Sequence, residues 1–335
     1  MGHATRCIPI INELIHHNFE PKIASDGKAL QLLQKEFPNL EIFELPSYNI
    51  TYSKNPKNIK LKLLKDAPHI LKTIKKEKKI VDKLVKANAI SGIISDNRFG
   101  VRHKNVPSVF ITHQLLVLSG STTWLSSKMH QKIISKFDEC WIPDSKGKKN
   151  FSGILGHVEK FNSTLKYLGP LSRFEKQDLK TKYQLLVILS GPEPQRTFLE
   201  EKLFSELKSY EGNICLIKGV IESEQTKVEH KNMTIYNYMT SAELQTTLSE
   251  SDIVLCRSGY TSIMDLAKLE KKSFFIPTPG QFEQEYLAKK LKEERIVPSC
   301  NQNEFTIEHL SQVEDYNGFK FEEFQENYDE LFRLF

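Results

Sequence analysis

Two series of short apolar runs, each run bounded by turn residues and alternating with helix-length amphipathic stretches, constrain this chain more than any other feature. Such alternation is the signature of parallel β-α-β units. The strands predicted in the first series are Pro21–Ala24, Glu41–Leu45, Ile90–Ser95, Ser108–Thr112, Glu139–Ile142 and Leu165–Leu168. Those of the second are Leu185–Leu189, Ile214–Lys218, Met233–Tyr236, Asp252–Cys256 and Ser273–Ile276. Between them, Gly169-Pro170-Leu171-Ser172-Arg173 and the polar stretch to Lys182 read as a linker. With 335 residues the chain can bury two cores. The expected fold class is α/β with two Rossmann-like domains, residues 1–170 and 171–316. Residues 317–335 are expected as a terminal helix docking Phe321, Phe324, Tyr328, Phe332 and Phe335 on the body.

Local signals support this reading. Thr240-Ser241-Ala242-Glu243 before Leu244 and Leu248 is a capping-box pattern. Pro68 suits the first turn of a Lys-rich helix whose apolar face is Ile70, Leu71, Ile74, Val81, Leu84 and Val85. At the start, Gly2-His3-Ala4-Thr5-Arg6 reads as a glycine loop running into a helix over Cys7–His16, with Pro9 in its first turn. A glycine turn followed by a helix is the second half of a β-loop-α phosphate-type motif. Its first strand, central in a doubly wound sheet, is missing here and is expected upstream of Met1.

Hydrophobic residues at 39% and charged residues at 27% describe a globular protein. No apolar run approaches the ~18 residues that span a bilayer, and no signal-peptide pattern opens the chain, so a cytoplasmic location is expected. The five cysteines are Cys7, Cys140, Cys215, Cys256 and Cys300; they show no zinc spacing and are expected as free thiols. Neither a cofactor nor a metal is expected. From Lys54 to Lys86 twelve lysines face only Asp66, Glu77 and Asp82. Such a run is ordinarily a solvated helix face. Its functional reading is attraction to an anionic membrane surface or a phosphate-bearing acceptor, at ~1 kcal/mol per lysine near such a surface. The run has no Arg and little aromatic interleaving, which disfavours nucleic acid.

The residues that carry chemistry lie at strand ends. Gln184–Leu189 is followed by Ser190-Gly191-Pro192-Glu193-Pro194-Gln195-Arg196 and a helix start, an anion-binding corner at Gly191 to which Arg196 can add a charge-assisted bond. The stronger signal is the strand Asp252–Cys256 followed by Arg257-Ser258-Gly259-Tyr260-Thr261-Ser262, then a helix through Asp265. Ser258 and Gly259 are expected to cap that helix at the strand's C-terminal end, where a diphosphate is favoured. Asp265 can then accept hydrogen bonds from ribose hydroxyls. The loop Pro277–Gln284 delivers Gln281, Glu283 and Gln284 to read sugar hydroxyls.

At these residues the sequence resembles the GT-B glycosyltransferases, most closely those related to the N-acetylglucosaminyltransferase of peptidoglycan-precursor synthesis. Gly2-His3-Ala4-Thr5-Arg6 looks like the end of that family's G-x-G-x-G-H loop, and Asp96 and His113-Gln114 look like acceptor-side loops. Arg257–Asp265, with Thr261, and Pro277–Gln284 look like the donor-nucleotide signature. The resemblance implies two Rossmann-like domains facing across a cleft. A UDP-type nucleotide-sugar donor would be held by the second domain, and a glycan or lipid-linked acceptor by the first through Gly2, Arg6, His113 and Gln114. It further implies inversion at the anomeric carbon with no required metal. The sequence departs from the family in having only the last part of the glycine loop, and Asp265 where relatives carry Glu, a ribose acceptor with shorter reach.

His3 is the candidate base or orienting group for the acceptor hydroxyl, since imidazole titrates near neutral pH. Asp96 is the alternative catalytic base. Two other functions share these features: a nucleotide-sugar epimerase, and a non-catalytic nucleotide-sugar-binding subunit. A dehydrogenase is disfavoured because no intact G-x-G-x-x-G is followed by an acidic residue at the expected distance.

Overall fold

The computed structural model describes residues 2–48, 59–220, 222–320 and 327–335. It divides into two compact units, Met1–Leu171 with Phe324–Phe335, and Ser172–Glu323.

Unit 1 runs α1 (Gly2–His16), β1 (Ile23–Ser25), α2 (Gly27–Glu36), β2 (Ile42–Glu44), α3 (Ile59–Lys86), β3 (Ile93–Asp96), β4 (Ser108–Ile111), α4 (Thr123–Ile134), β5 (Glu139–Ile142) and β6 (Thr164–Tyr167). All its strands are parallel. They form a pair, β1-β2, and a four-stranded sheet, β3-β4-β5-β6. Val109, Phe110 and Ile111 have no exposed surface, as expected of a parallel strand covered on both faces. Phe110 packs with Leu115, Ile134, Phe137, Cys140 and Ile142, while Ala4 and Ile8 of α1 pack with Ile23, Leu30 and Leu33.

Unit 2 runs β7 (Tyr183–Ile188), α5 (Gln195–Glu206), β8 (Ile214–Ile217), β9 (Lys227–His230), β10 (Met233–Tyr236), α6 (Ser241–Ser249), β11 (Ser251–Cys256), α7 (Tyr260–Lys268), β12 (Lys272–Phe275) and α8 (Phe282–Glu293). Its sheet has the order β12-β11-β7-β8-β10-β9, parallel except for β9. The first strand of the unit, β7, therefore lies between β8 and β11. Chain direction across the sheet reverses there, so a crevice opens at the C-terminal ends of β7 and β11. Leu185, Val187, Leu199, Leu203, Ile214, Leu216, Leu255 and Phe274 form the core beneath it.

Each of the eleven predicted strands is present within two or three residues of its expected bounds. The capping box at Thr240 is formed, with Thr240 Oγ1 accepting from the Glu243 N–H and Glu243 accepting from the Thr240 N–H. The thiols are free, three of them buried.

Several local expectations need correction. The Gly2–Arg6 stretch is not a loop: α1 starts at Gly2, which puts Pro9 inside the helix. Pro68 likewise lies inside α3, not in its first turn, and Leu71 is exposed instead of joining the apolar face. Strand β9 was not expected, because its four residues are all exposed and its sequence is charged. Among the described residues the terminal helix is α9 (Tyr328–Phe332), and Phe332 and Phe335 pack against Trp141. Phe321 and Phe324, and Lys54 and Lys57 of the lysine run, lie outside the described residues.

Candidate functional site

In unit 1, adjacent parallel strands bring two side chains to one sheet edge. Asp96 ends β3 and pairs in register with Ile111, the last residue of β4, two residues before His113. Helix α1 brings His3 and Arg6, one turn apart, to the same edge. Arg6 is 1% exposed and spans the group: Nε donates to Asp96 Oδ2 at 2.8 Å, one terminal nitrogen donates to Asp96 Oδ1, and the other reaches His113 Nδ1 at 2.9 Å. His3 Nδ1 lies 2.8 Å from Asp96 Oδ1 and 2.9 Å from the Arg6 guanidinium. Nδ1 serves one neighbour at a time: as N–H it donates to Asp96, and as a bare nitrogen it accepts from Arg6. The His3 side chain is 52% exposed, whereas Asp96 is 5% exposed.

Burial alone would raise the Asp96 carboxyl. The Arg6 charge, then His3, outweighs it and holds the group well below the usual carboxylate range. Asp96 is thus ionised and anchored by Arg6 and His3. Cys7 adds an Sγ contact to Asp96 Oδ2 at 3.6 Å, and its thiol is raised first by burial and then by that carboxylate. His113 is buried, so it supports Arg6 from below. Behind it, burial and the neighbouring His113 lower His130 to about 4, keeping that ring neutral. Gln114 turns its N–H to Thr112 Oγ1, and Gly2 accepts from Thr5 Oγ1 through its carbonyl.

In unit 2, three loops meet at the C-terminal edge of β7, β11 and β12. Arg257 is fully buried and joins them: its guanidinium donates to the carbonyls of Ile276, Pro277 and Gln195 and to Gln302 Oε1. Burial lowers it to about 10, so it stays charged at neutral pH. Arg257 therefore ties the loops of this edge together. Ser258 is also buried, and its hydroxyl donates to the Gln284 carbonyl at 2.8 Å. It does not cap α7, whose N-cap is Gly259 with no side-chain bond. Gln284 is a staple: its Oε1 accepts from the Thr278 N–H and its Nε2 donates to Gln281 Oε1. Arg196 is spent on Glu193 and Glu200, which leaves its guanidinium in a local ion-pair cluster.

Two glycines and one hydroxyl at this edge are distinctive. Gly191 has φ +102°, a conformation that favours glycine, and a Cβ there would stand 3.6 Å from Thr278 Oγ1. That hydroxyl is buried and has no hydrogen-bond partner among the described residues. A Cβ on Gly259 would meet nothing closer than Ser262 Oγ at 4.0 Å, so the N-terminus of α7 is open. Thr261 and Glu283 are half-buried in the first turns of α7 and α8. One turn further along α7, Asp265 accepts from Ser172 Oγ at 2.7 Å. Burial raises its carboxyl to about 6 against the opposing Arg173 charge. Sequence reading missed Thr278, Ser172 and Cys7, since none belongs to a residue type or spacing that announces a site. No group of three or more His, Cys, Asp and Glu placed to hold a metal occurs among the described residues.

Residues 186–326 match the glycosyltransferase family 28 C-terminal domain. A relative from Methanosarcina acetivorans, an uncharacterized glycosyltransferase, is 22% identical over 341 residues, covering 93% of this chain and 87% of that protein. Among solved structures, the chain is similar to MurG of Acinetobacter baumannii (TM-score 0.53, 14% identity, 94% of this chain and 86% of that one). It is likewise similar to the glycosyltransferase SnogD of Streptomyces nogalater (0.63, 11%, 93% and 87%). The same architecture matches a Listeria monocytogenes protein assigned as a UDP-N-acetylglucosamine 2-epimerase (0.58, 9%, 94% and 85%). The chain thus carries the two-Rossmann-domain GT-B fold, and its C-terminal domain is related to the family 28 glycosyltransferases.

Proposed function

We propose that the protein transfers a sugar from a nucleotide-sugar donor, of the UDP type, to a hydroxyl of an acceptor, with inversion at the anomeric carbon and without a metal. The His3–Asp96 pair is the observation that carries this reading over a binding protein. With Nδ1–H donating to the buried, ionised Asp96 carboxylate, the half-exposed His3 imidazole offers Nε2 as the proton acceptor. The acceptor O–H proton passes to His3 Nε2 as the oxygen bonds to the anomeric carbon. The bond from that carbon to the diphosphate oxygen breaks, and its electron pair leaves with the nucleoside diphosphate. Asp96 stabilises the imidazolium that forms.

Unit 2 holds the donor in this reading. The Gly191 turn and the open N-terminus of α7 at Gly259 take the diphosphate, where helix dipole and backbone N–H groups meet developing negative charge. Thr278 Oγ1 supplies a hydroxyl with no other duty. Asp265 receives ribose hydroxyls, and Gln281 and Glu283 lie at the start of α8 for the sugar. Arg257, Ser258 and Gln284 hold the loops and do not touch the donor. His113, with Arg6, shapes the acceptor side.

The test is nucleotide release from UDP-, GDP- and dTDP-sugars with candidate hydroxyl acceptors. His3→Ala is expected to lower turnover by roughly 10²–10⁴ while leaving calorimetric donor binding unchanged. Interconversion of a UDP-sugar with no acceptor present would make the protein an epimerase. Donor binding without turnover under any acceptor would make it a binding subunit.

A further inference from the structure

Residues 172–176, the first of unit 2, are held between α6 and α7. On the α6 side, Arg173 donates to Ser241 Oγ at 2.8 Å and the Glu175 N–H to Gln245 Oε1 at 3.0 Å. On the other side, Glu175 pairs with Lys268, the last residue of α7, and Lys176 with Glu270 just beyond it. The Phe174 ring is buried beneath the Arg173 guanidinium, which lies 4.7 Å from its centroid. Exposed ion pairs contribute little singly, but together with the buried ring and the α6 bonds they fix where this segment runs. The place of Ser172 is therefore set by its neighbours and not by its own side chain.

From that place the Ser172 hydroxyl accepts from the Phe174 N–H at 3.1 Å and donates to Asp265 Oδ1 at 2.7 Å. A hydroxyl has one hydrogen, and here it is committed to the carboxylate. The main chain of Arg173 adds a second bond to the same carboxyl. The two oxygens of a carboxylate offer about four acceptor sites, so capacity remains for further donors. The terminal torsion of an aspartate is soft, and nothing within the side chain fixes the plane of its carboxylate. A hydrogen bond from a hydroxyl that is itself immobile does fix it.

We infer that Ser172 is a positioning residue for the donor: by holding Asp265 Oδ1 it orients the carboxylate for ribose hydroxyls, and so makes the protein select a ribonucleotide donor over its deoxy counterpart. The inference rests on the assignment of Asp265 to the ribose made above. A site arranged to accept from a hydroxyl rejects the analogue that lacks it, because a desolvated acceptor is then left without a donor. Such rejection needs a carboxylate that cannot swing to another partner, and the bond from Ser172 supplies that restraint. Donors built on a ribonucleoside diphosphate are thus favoured over those built on a deoxynucleoside diphosphate, whatever sugar they carry.

The test is titration calorimetry of the full chain with UDP, 2′-deoxy-UDP and 3′-deoxy-UDP. The wild type is expected to prefer UDP over at least one deoxy analogue by roughly tenfold or more, the range of a hydrogen bond to a charged group. Asp265→Ala should abolish that preference. Ser172→Ala should cut it to about threefold or less while leaving affinity for the disfavoured analogue unchanged, and Ser172→Thr, which keeps the hydroxyl, should restore it. Should Ser172→Ala misfold, Ser172→Cys fills the place with a weak donor and carries the same expectation. Hydrogen exchange in residues 172–176 should stay as slow in these variants as in the wild type. A Ser172→Ala protein that keeps the wild-type preference, or that loses affinity for all three nucleotides equally, would overturn the inference and leave the donor assignment standing. Loss of the preference together with fast exchange in residues 172–176 would make Ser172 an anchor of the segment and also overturn it. A wild type indifferent to the missing hydroxyls, or a preference that survives Asp265→Ala, would instead remove Asp265 from the donor site and the inference with it.

Discussion

Replacing Asp96 by Asn would leave the Arg6 guanidinium buried with its counter-ion gone, a cost of about 3–5 kcal/mol for breaking a buried pair from one side. Denaturant unfolding of Asp96→Asn measures it. A depressed carboxyl stabilises the fold above its ordinary pKa and loses that contribution as pH falls through its folded value, so the variant should also lose part of the wild type's acid sensitivity. Asp265 behaves oppositely. Its carboxyl is raised to about 6, so the folded state holds a proton that the unfolded chain has released, and stability declines as pH rises from about 4 to 6. If ribose hydroxyls bind the ionised form, affinity for a UDP-sugar, whose diphosphate does not titrate here, should fall as pH drops through about 6. Titration calorimetry across that range should show the step, and Asp265→Asn should flatten it.

At the scale of elements, the unit 2 edge separates residues that build from residues that bind. Thr278→Val removes a hydroxyl that bonds nothing among the described residues, so thermal stability should hold or rise slightly, while donor affinity weakens by about 1 kcal/mol, near fivefold. Loss of stability without loss of affinity would assign Thr278 to the scaffold. The strands of both units were legible because a covered parallel strand must be almost wholly apolar, as Val109–Ile111 and Ile214–Ile217 are. Strand β9 was not, since an exposed edge strand of Lys, Val, Glu and His carries no burial pattern. His3, read in a glycine loop ahead of a helix, and Asp96, read just after a strand, were both named as candidates through the family resemblance. Their pairing across 93 positions was not. Arg257, Ser258 and Gln284 fell in the right loops, yet sequence spacing says nothing about whether a polar side chain turns toward solvent or back onto neighbouring carbonyls.

For the whole molecule, the division into two units predicts that a donor acts on one of them first. Hydrogen exchange with a saturating UDP-sugar should slow in residues 189–195, 257–263 and 277–284 and leave residues 93–96 and 108–115 unchanged when no acceptor is present. Equal protection in both units would contradict the assignment of the donor to unit 2. The packing of Phe332 and Phe335 on Trp141, with Phe335 in the space that a Cβ on Gly92 would fill, ties residues made after unit 2 to a unit begun before it. During synthesis the ribosome therefore delivers all of unit 2 before the cover for Trp141 exists. Unit 2 can fold as one uninterrupted stretch of polypeptide. The nascent unit 1 must keep an apolar surface bare for that whole interval, and there a holding chaperone has the most to protect.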